Sequence, residues 1–425
     1  MQVIKIIEDL LSEIKFDSCL KSIDSKIFEN RVINLLAIGK SAAYDTQALQ
    51  NFAKEKSLKI NKTCVITKYN HAPSNFNKNI SDSFIYHEAA HPVPNLDSLK
   101  SGKLVKDFLD NLDKDELLLV LLSRGGSSVL VLPKEEISFK LKQEITNELL
   151  KNAAKINDIN LIRKSLSQIK NGGLIKLSNT KEIVCLASSD IPDNDFASIA
   201  SGVTCYQELD KAYLRDLAKK YLNKSQEEYL NFLDTTDLKV NLNQNTNTKN
   251  IIVNDAINLK NKAKKVLTKY YPEKNIEFID EIEDYDIEIC KENYLSSLKN
   301  KKDHIIASVG EITLKVTKHG KGGRNTHFVL LMSKLLFKDN ILNLIEDELK
   351  RIKIFSFGTD GNDGPTDAAG AYIDFNLYKK ALEKNLDFEL YLNNFDSYNF
   401  FKEIDSLILT GATGINLMDF RYIKV

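Results

Sequence analysis

The stretch LLLVLLSRGGSS, Leu117–Ser128, decides the fold. Six consecutive apolar residues without polar alternation describe a strand covered on both faces, the environment of a parallel sheet. The run then stops at Ser123-Arg124-Gly125-Gly126-Ser127-Ser128, where two glycines between hydroxyls permit a tight strand-to-helix turn. The same alternation continues outward. Upstream, VINLLAIG (32–39) is a short apolar run ending in glycine, and KSAAYDTQALQNFAKE (40–55) has helical composition. TCVITK (63–68) and SFIYHEA (83–89) read as strands, and Asn95 caps a helix beginning at Leu96. Downstream, residues 136–157 have helical apolar spacing, and EIVCLASSD (182–190) is a strand stopped by a polar loop. Strands and helices taking turns predict βαβ units and a mainly parallel, Rossmann-like sheet.

A chain of 425 residues is long for one core, so two α/β domains are expected. The pattern breaks in an asparagine-rich stretch from Asn241 to Asn250, which separates residues 1–240 from residues 250–425. Strand-like runs resume at IIVND, IEFID and HIIASVG. Lys+Arg and Asp+Glu both number 59, which argues against a partner that is nucleic acid or an anionic membrane. A homo-oligomer remains compatible with this balance. The five cysteines, Cys19, Cys64, Cys185, Cys205 and Cys290, form no C-x-x-C pair, so reduced thiols in a cytoplasmic protein are expected. Residues 1–16 read as an amphipathic helix and not as a signal peptide, and no apolar run is long enough to span a bilayer.

Ligands of parallel α/β sheets bind beyond the carboxyl ends of strands. The apolar runs are followed there by Gly39-Lys40-Ser41, by the Ser123–Ser128 turn and by Ser188-Ser189-Asp190. In the second half TLKVTK precedes His319-Gly320-Lys321-Gly322-Gly323-Arg324-Asn325. KIFSF precedes a segment in which Gly358, Gly361 and Gly364 alternate with Asp360, Asp363 and Asp367, and DSLIL precedes Thr410-Gly411. Glycine exposes backbone N–H groups to phosphate, and a helix N-terminus favours negative charge. Lys40 and Arg324 supply positive charge for a phosphoryl group, and Asp190, Asp360, Asp363 and Asp367 offer hard oxygens for Mg2+ or a base for a hydroxyl. These are the parts of phosphoryl transfer. Asp190 is expected to be catalytic and Asp360, Asp363 and Asp367 to hold metal. Ser123, Gly125, Gly126, Ser127, Gly322, Gly323, Asn325, Thr410 and Gly411 are expected to cradle the nucleotide. His87-Glu88-Ala89-Ala90-His91 matches H-E-x-x-H, but Pro92 and the strand-like SFIY argue against the helix that zinc binding needs.

Taken in order, AIGKSAA, EAAHPVPN, LLSRGGSSVLVLP, INLIRKSLSQIKNGGL, SSDIPDNDFASIASGVT, GEITLKVTKHGKGGRN, GTDGNDGPTDAAGAYID and TGATGINLMDF resemble the class II glycerate kinases, the glycerate 2-kinase family with a C-terminal MOFRL domain. The resemblance implies ATP-dependent phosphorylation of D-glycerate to 2-phosphoglycerate, with Mg2+, in a cleft between two α/β domains. It points to Lys40 and Arg324 as catalytic. The chain departs from the family pattern at Arg124, Ser165, Thr326, His327, Ala412 and Ile415. Two other readings compete. One is an NAD(P)-dependent hydroxypyruvate reductase, for which the loop lacks G-x-G-x-x-G spacing. The other is a divergent ligand-binding relative without turnover.

Overall fold

The computed structural model describes residues 2–189, 191, 194–240, 242, 246–279, 282 and 285–425. The chain divides into two compact units, Leu20–Val253 and Asn254–Val425, the second joined by Met1–Cys19. No helix among the described residues is long and apolar enough to cross a membrane.

The first unit is built on β1 (Val32–Ile38), β2 (Lys59–Lys68), β3 (Phe84–Ala89), β4 (Leu117–Leu122), β5 (Glu182–Ser188) and β6 (Asn247–Asn254). Their spatial order is β3-β2-β1-β4-β5-β6, and β3, β2, β1, β4 and β5 run parallel. This is the doubly wound dinucleotide-fold order, which reverses direction between β1 and β4. All six residues of β4 are buried, as an uninterrupted apolar run in a central parallel strand requires. The helix Leu96–Asp110 starts at Asn95, whose side chain accepts from Ser98 N while Ser98 Oγ accepts from Asn95 N. That reciprocal pair fixes where the chain turns back onto the sheet. A second apolar cluster of helices, Phe139–Lys151, Ile156–Ser165, Lys211–Tyr221 and Gln226–Thr235, packs around Ile145, Ile162 and Tyr229.

The second unit carries β7 (Asn275–Phe278), β8 (His304–Gly310), β9 (Lys353–Gly358), β10 (Gly370–Asp374), β11 (Leu407–Ile408) and β12 (Asp419–Lys424). Their order is β11-β10-β9-β12-β8-β7. Among the described residues of this unit only β7 and β8 pair in parallel; β12 runs antiparallel to both β8 and β9, and β10 antiparallel to β9. Apolar clusters cover both faces, one including Phe328, Ile354 and Phe400, the other Phe355, Phe420 and Tyr422. The amphipathic helix Gln2–Ile14 buries Ile6, Leu10 and Ile14 in the second cluster, which is why the first nineteen residues group with this unit.

One expected strand is absent. TLKVTK, which precedes the glycine loop, makes only an isolated bridge at Thr313, and Val316 is exposed. The apolar alternation there meets no strand to pair with, because β8 is already flanked by β7 and β12. β12, in contrast, is central, pairing with both β8 and β9.

Candidate functional site

In the first unit the loops after β1 and β4 meet where the strand order reverses. Ser123 N donates to Ile38 O at 3.0 Å, Lys40 N to Arg124 O at 2.8 Å and Ser41 N to Ser123 Oγ at 3.1 Å. Three short bonds thus tie Lys40 to the glycine turn at the place where doubly wound sheets bind ligands. Gly125 has φ of +85° and precedes the short helix Gly126–Val129. A Cβ at Gly125 would stand 2.9 Å from His91 Cδ2 and 3.2 Å from Lys40 Cγ, so the bare backbone is what lets those two side chains close over the turn. Ser127 O accepts from Lys170 Nζ, and Ser128 Oγ donates to Pro92 O at 2.8 Å.

Sequence reasoning missed part of this cluster. Thr67 Oγ1, at the end of β2, donates to Lys40 O at 3.3 Å and adjoins His71 O. Burial, then the charges of Lys68 and Lys40, push His71 down to about 4. Burial, then Lys40, Lys68 and Arg124, push His91 down to about 4 as well. Both rings are therefore neutral at physiological pH inside a ring of cations, each with one N–H donor and one acceptor nitrogen. The order strand, Lys68, turn, His71 was the available signal. It is weak because Lys68 lies in an ordinary apolar strand and nothing local says that β2 neighbours β1. His87 sits in β3 with Nε2 3.0 Å from Asp97 O, so His87 and His91 share no helix.

Lys40, Ser123, Gly125, Gly126 and Ser127 are thus brought together. Asp190 lies outside the described residues, as does its neighbour Asp193. Asp195 accepts from Ala197 N and Ser198 Oγ within its own loop.

In the second unit Arg324 opens the helix Arg324–Ser333. Its Nε donates to Asp419 Oδ2 at 2.5 Å and its Nη2 to Asp419 Oδ1 at 3.1 Å, while Nη2 also lies 2.9 Å from Glu311 Oε1. The sheet register explains the clamp, because Asp419 pairs with both Gly310 and Gly358, the last residues of β8 and β9. Burial lowers the affinity of Arg324 for its proton, but Asp419 and Glu311 outweigh this and hold it above its ordinary value. Asp419 also accepts from the fully buried Arg421. The guanidinium of Arg324 keeps about a third of its side chain exposed, so it is aimed and charged yet reachable.

Asp363 is 1% exposed. Its Oδ1 accepts from Asn325 N at 2.9 Å, and its Oδ2 accepts from Thr326 N at 2.8 Å and Thr326 Oγ1 at 2.7 Å. Both oxygens serve the helix N-terminus below Arg324. A Cβ on Gly323 would lie 2.3 Å from Asp363 Oδ1, so that glycine permits the close approach of the carboxylate, whereas Gly322 packs on Ser397. Asn325 is buried and accepts from Ser356 Oγ of β9. Asp367 is exposed and bonded to Tyr398. Asp360 is half-buried, with Oδ1 accepting from Asn362 N at 3.0 Å. Among the described residues no three carboxylate, imidazole or thiol side chains are placed to hold one metal ion. Thr410 Oγ1 donates to Gly411 O, and Gly411 borders open space. His327 stacks on Phe395 at 5.2 Å, and burial pushes it down to about 4, leaving a neutral ring.

Residues 4–234 match the model of a domain of unknown function, DUF4147, and residues 304–419 match the MOFRL family. The D-glycerate 2-kinase of Thermotoga maritima is 31% identical over 98% of this chain and 96% of its own length. The chain belongs to the glycerate 2-kinase family with a MOFRL domain. The crystal structure of the glycerate kinase from Thermotoga maritima superposes with a TM-score of 0.82 at 29% identity, covering 100% of this chain and 98% of that one. A relative from Agrobacterium vitis, 28% identical over 92% of this chain and 98% of its own, bears the name hydroxypyruvate reductase under a qualifier. Within the glycerate 2-kinase family frame, the DUF4147 match covers the Lys40 turn and the MOFRL match covers Glu311, Arg324, Asp363 and Asp419.

Proposed function

We propose that this protein is a glycerate 2-kinase that transfers the γ-phosphoryl group of ATP directly to the 2-hydroxyl of D-glycerate. The hydroxyl oxygen bonds to the γ-phosphorus, the bond to the bridging oxygen breaks, ADP leaves, and the hydroxyl proton passes to a base. The observation that carries the reading is the joining of Lys40 to the Ser123–Ser128 turn at the reversal of strand order. The names of the full-length relatives support it.

In this reading Lys40 and Arg324 stabilise negative charge on the transferring group, and the Ser123-Gly125-Gly126-Ser127 turn offers backbone N–H groups to phosphate. Gly322, Gly323 and Asn325 set the start of the Arg324 helix, and Thr410 and Gly411 complete the nucleotide contacts. Glu311 and Asp419 hold Arg324 in one orientation. The base is Asp190. For Mg2+, Asp363 fits poorly because both its oxygens are engaged, and Asp367 is bonded to Tyr398. Asp360 retains an oxygen without a bond to any described residue, which suits an ion carried mainly by the nucleotide's phosphates. Mg2+ there would neutralise charge on the β- and γ-phosphates. Five free thiols suit work in a reducing, cytoplasmic compartment.

The test is incubation with Mg·ATP and D-glycerate, with ADP followed by coupled assay and the product identified by phosphorus NMR. Formation of 2-phosphoglycerate is expected. Absence of ADP release, or 3-phosphoglycerate as the product, refutes the reading. NADH oxidation with hydroxypyruvate in place of kinase turnover would establish the reductase alternative.

A further inference from the structure

We propose that a cavity at the amino ends of β8 and β9 binds a small amphipathic anion, an aliphatic chain that ends in a carboxylate. The cavity measures about 1010 Å3, and its lining belongs wholly to the second unit. It opens between residues 299–303, which lead into β8, and residues 341–351, which lead into β9. Asp419, the partner of Arg324, begins β12, whereas Val425, which lines the cavity, follows the other end of that strand. A strand of that length puts the cavity about 20 Å from the Arg324 clamp.

One wall is aliphatic and consists of Leu295, Leu298, Ile341, Leu342, Leu344 and Ile345. Ile341 is 41% exposed and Ile345 66%. The wall is nevertheless fixed. Asn340 Nδ2 donates to Leu344 O at 2.9 Å, and Leu344 N donates to Asn340 Oδ1 at 2.9 Å. Asn340 and Asn343 both take the left-handed backbone, with φ of +44° and +53°. Lys302 Nζ lies 2.7 Å from Glu348 Oε1, which clasps the two bordering segments together. A loop held this firmly with its isoleucines facing outward offers an apolar surface to a ligand.

The charges of the lining set the sign of that ligand. Its carboxylates already hold ammonium groups: Glu292 lies 3.3 Å from Lys291 Nζ, Asp303 2.6 Å from Lys274 Nζ and Asp347 3.0 Å from Lys350 Nζ, while Glu348 holds Lys302. Lys274 Nζ also donates to Val425 O at 3.4 Å. Lys301 is engaged by Glu277 at 2.7 Å. Among the described residues Lys299 makes no ion pair, and Arg351 reaches only Asp303, at 3.9 Å, whose carboxylate already holds Lys274. An aliphatic chain on the leucines and isoleucines, with its carboxylate reaching Lys299 and Arg351, satisfies both features. A neutral chain satisfies only the first and a short anion only the second. No part of this rests on kinase turnover.

The test is isothermal titration of the full chain with sodium octanoate, with 1-octanol and with sodium acetate at equal ionic strength. One octanoate per chain is expected, with a Kd about tenfold or more below that of 1-octanol, and acetate is expected not to saturate. The double variant Lys299→Gln, Arg351→Gln is expected to lose about tenfold or more in octanoate affinity and nothing in 1-octanol affinity. Ile345→Asp is expected to weaken both ligands. All three side chains are exposed, so both variants should melt like wild type, which thermal unfolding checks. Absence of saturable octanoate binding, equal affinity for octanoate and 1-octanol, or full octanoate affinity in either variant refutes the proposal. So does light scattering that shows a dimer which Ile345→Asp dissociates and octanoate does not, because the wall is then a contact between two copies of this chain.

Discussion

Replacing Asp363 by Ala separates two roles for the same carboxylate. In the structure it accepts from two backbone N–H groups and one hydroxyl at the N-terminus of the Arg324 helix. Alanine strands Asn325 N and Thr326 N in a buried setting. The Thr326 hydroxyl loses less, because Ser397 Oγ lies 2.8 Å away and Gly323 O at 3.2 Å. With about 1–2 kcal/mol for each stranded N–H and a smaller loss for the hydroxyl, destabilisation of about 3 kcal/mol is expected. In the second unit that corresponds to a fall in unfolding midpoint of roughly 6–12 °C. Differential scanning calorimetry, alongside titration of Mg·ATP below the midpoint, measures both quantities. Asp363→Asn should fall by a similar amount, since its NH2 group would face a backbone N–H. Burial pushes Asp363 up to about 6 against those three bonds. The native state therefore holds its proton more tightly than the unfolded chain, and this carboxyl's contribution to stability falls as pH rises from about 4 to about 6. The difference in unfolding free energy between wild type and Asp363→Asn should change in that window and be flat above it. A variant that melts like wild type yet loses Mg2+-dependent nucleotide binding would refute the capping argument and restore Asp363 as a metal ligand.

Lys40→Ala and Arg324→Lys should each lower kcat for D-glycerate phosphorylation by about 10²-fold or more, with near-normal melting for Lys40→Ala; steady-state kinetics and melts of both variants decide it. Lysine at 324 keeps the charge but cannot span both oxygens of Asp419. His71 and His91, held near 4, should show no protonation between pH 5.5 and 8 by proton NMR. Because their folded values lie below the unfolded one, stability attributable to them is present above about pH 6.5 and is lost as pH falls towards 4. His91→Asn should flatten that acid limb, and an unchanged limb would count against the buried, cation-ringed setting.

The residues alone determined much of the first unit. Leu117–Leu122 could only be a covered strand, because six apolar residues without alternation leave no polar face. Asn95 set a helix start through its own backbone neighbours, and residues 2–14, which pack in the second unit, declared an apolar stripe. Such features are local, so a short window contains their cause. The glycine turns were legible for the same reason, and the ordered run of motifs pointed to the family to which the chain belongs. Tertiary structure alone decided which loops meet. That β1 neighbours β4 places Lys40 against Gly125, and that β12 lies between β8 and β9 places Asp419 under Arg324. Strand order depends on pairing between segments up to about a hundred residues apart, and no local pattern encodes it. The aspartates at 360, 363 and 367 show the limit plainly. In sequence they form one acidic cluster, but Asp363 turns inward to cap a helix while Asp367 turns out to Tyr398, because the backbone N–H groups at 325 and 326 reach Asp363 only through the packing of distant strands.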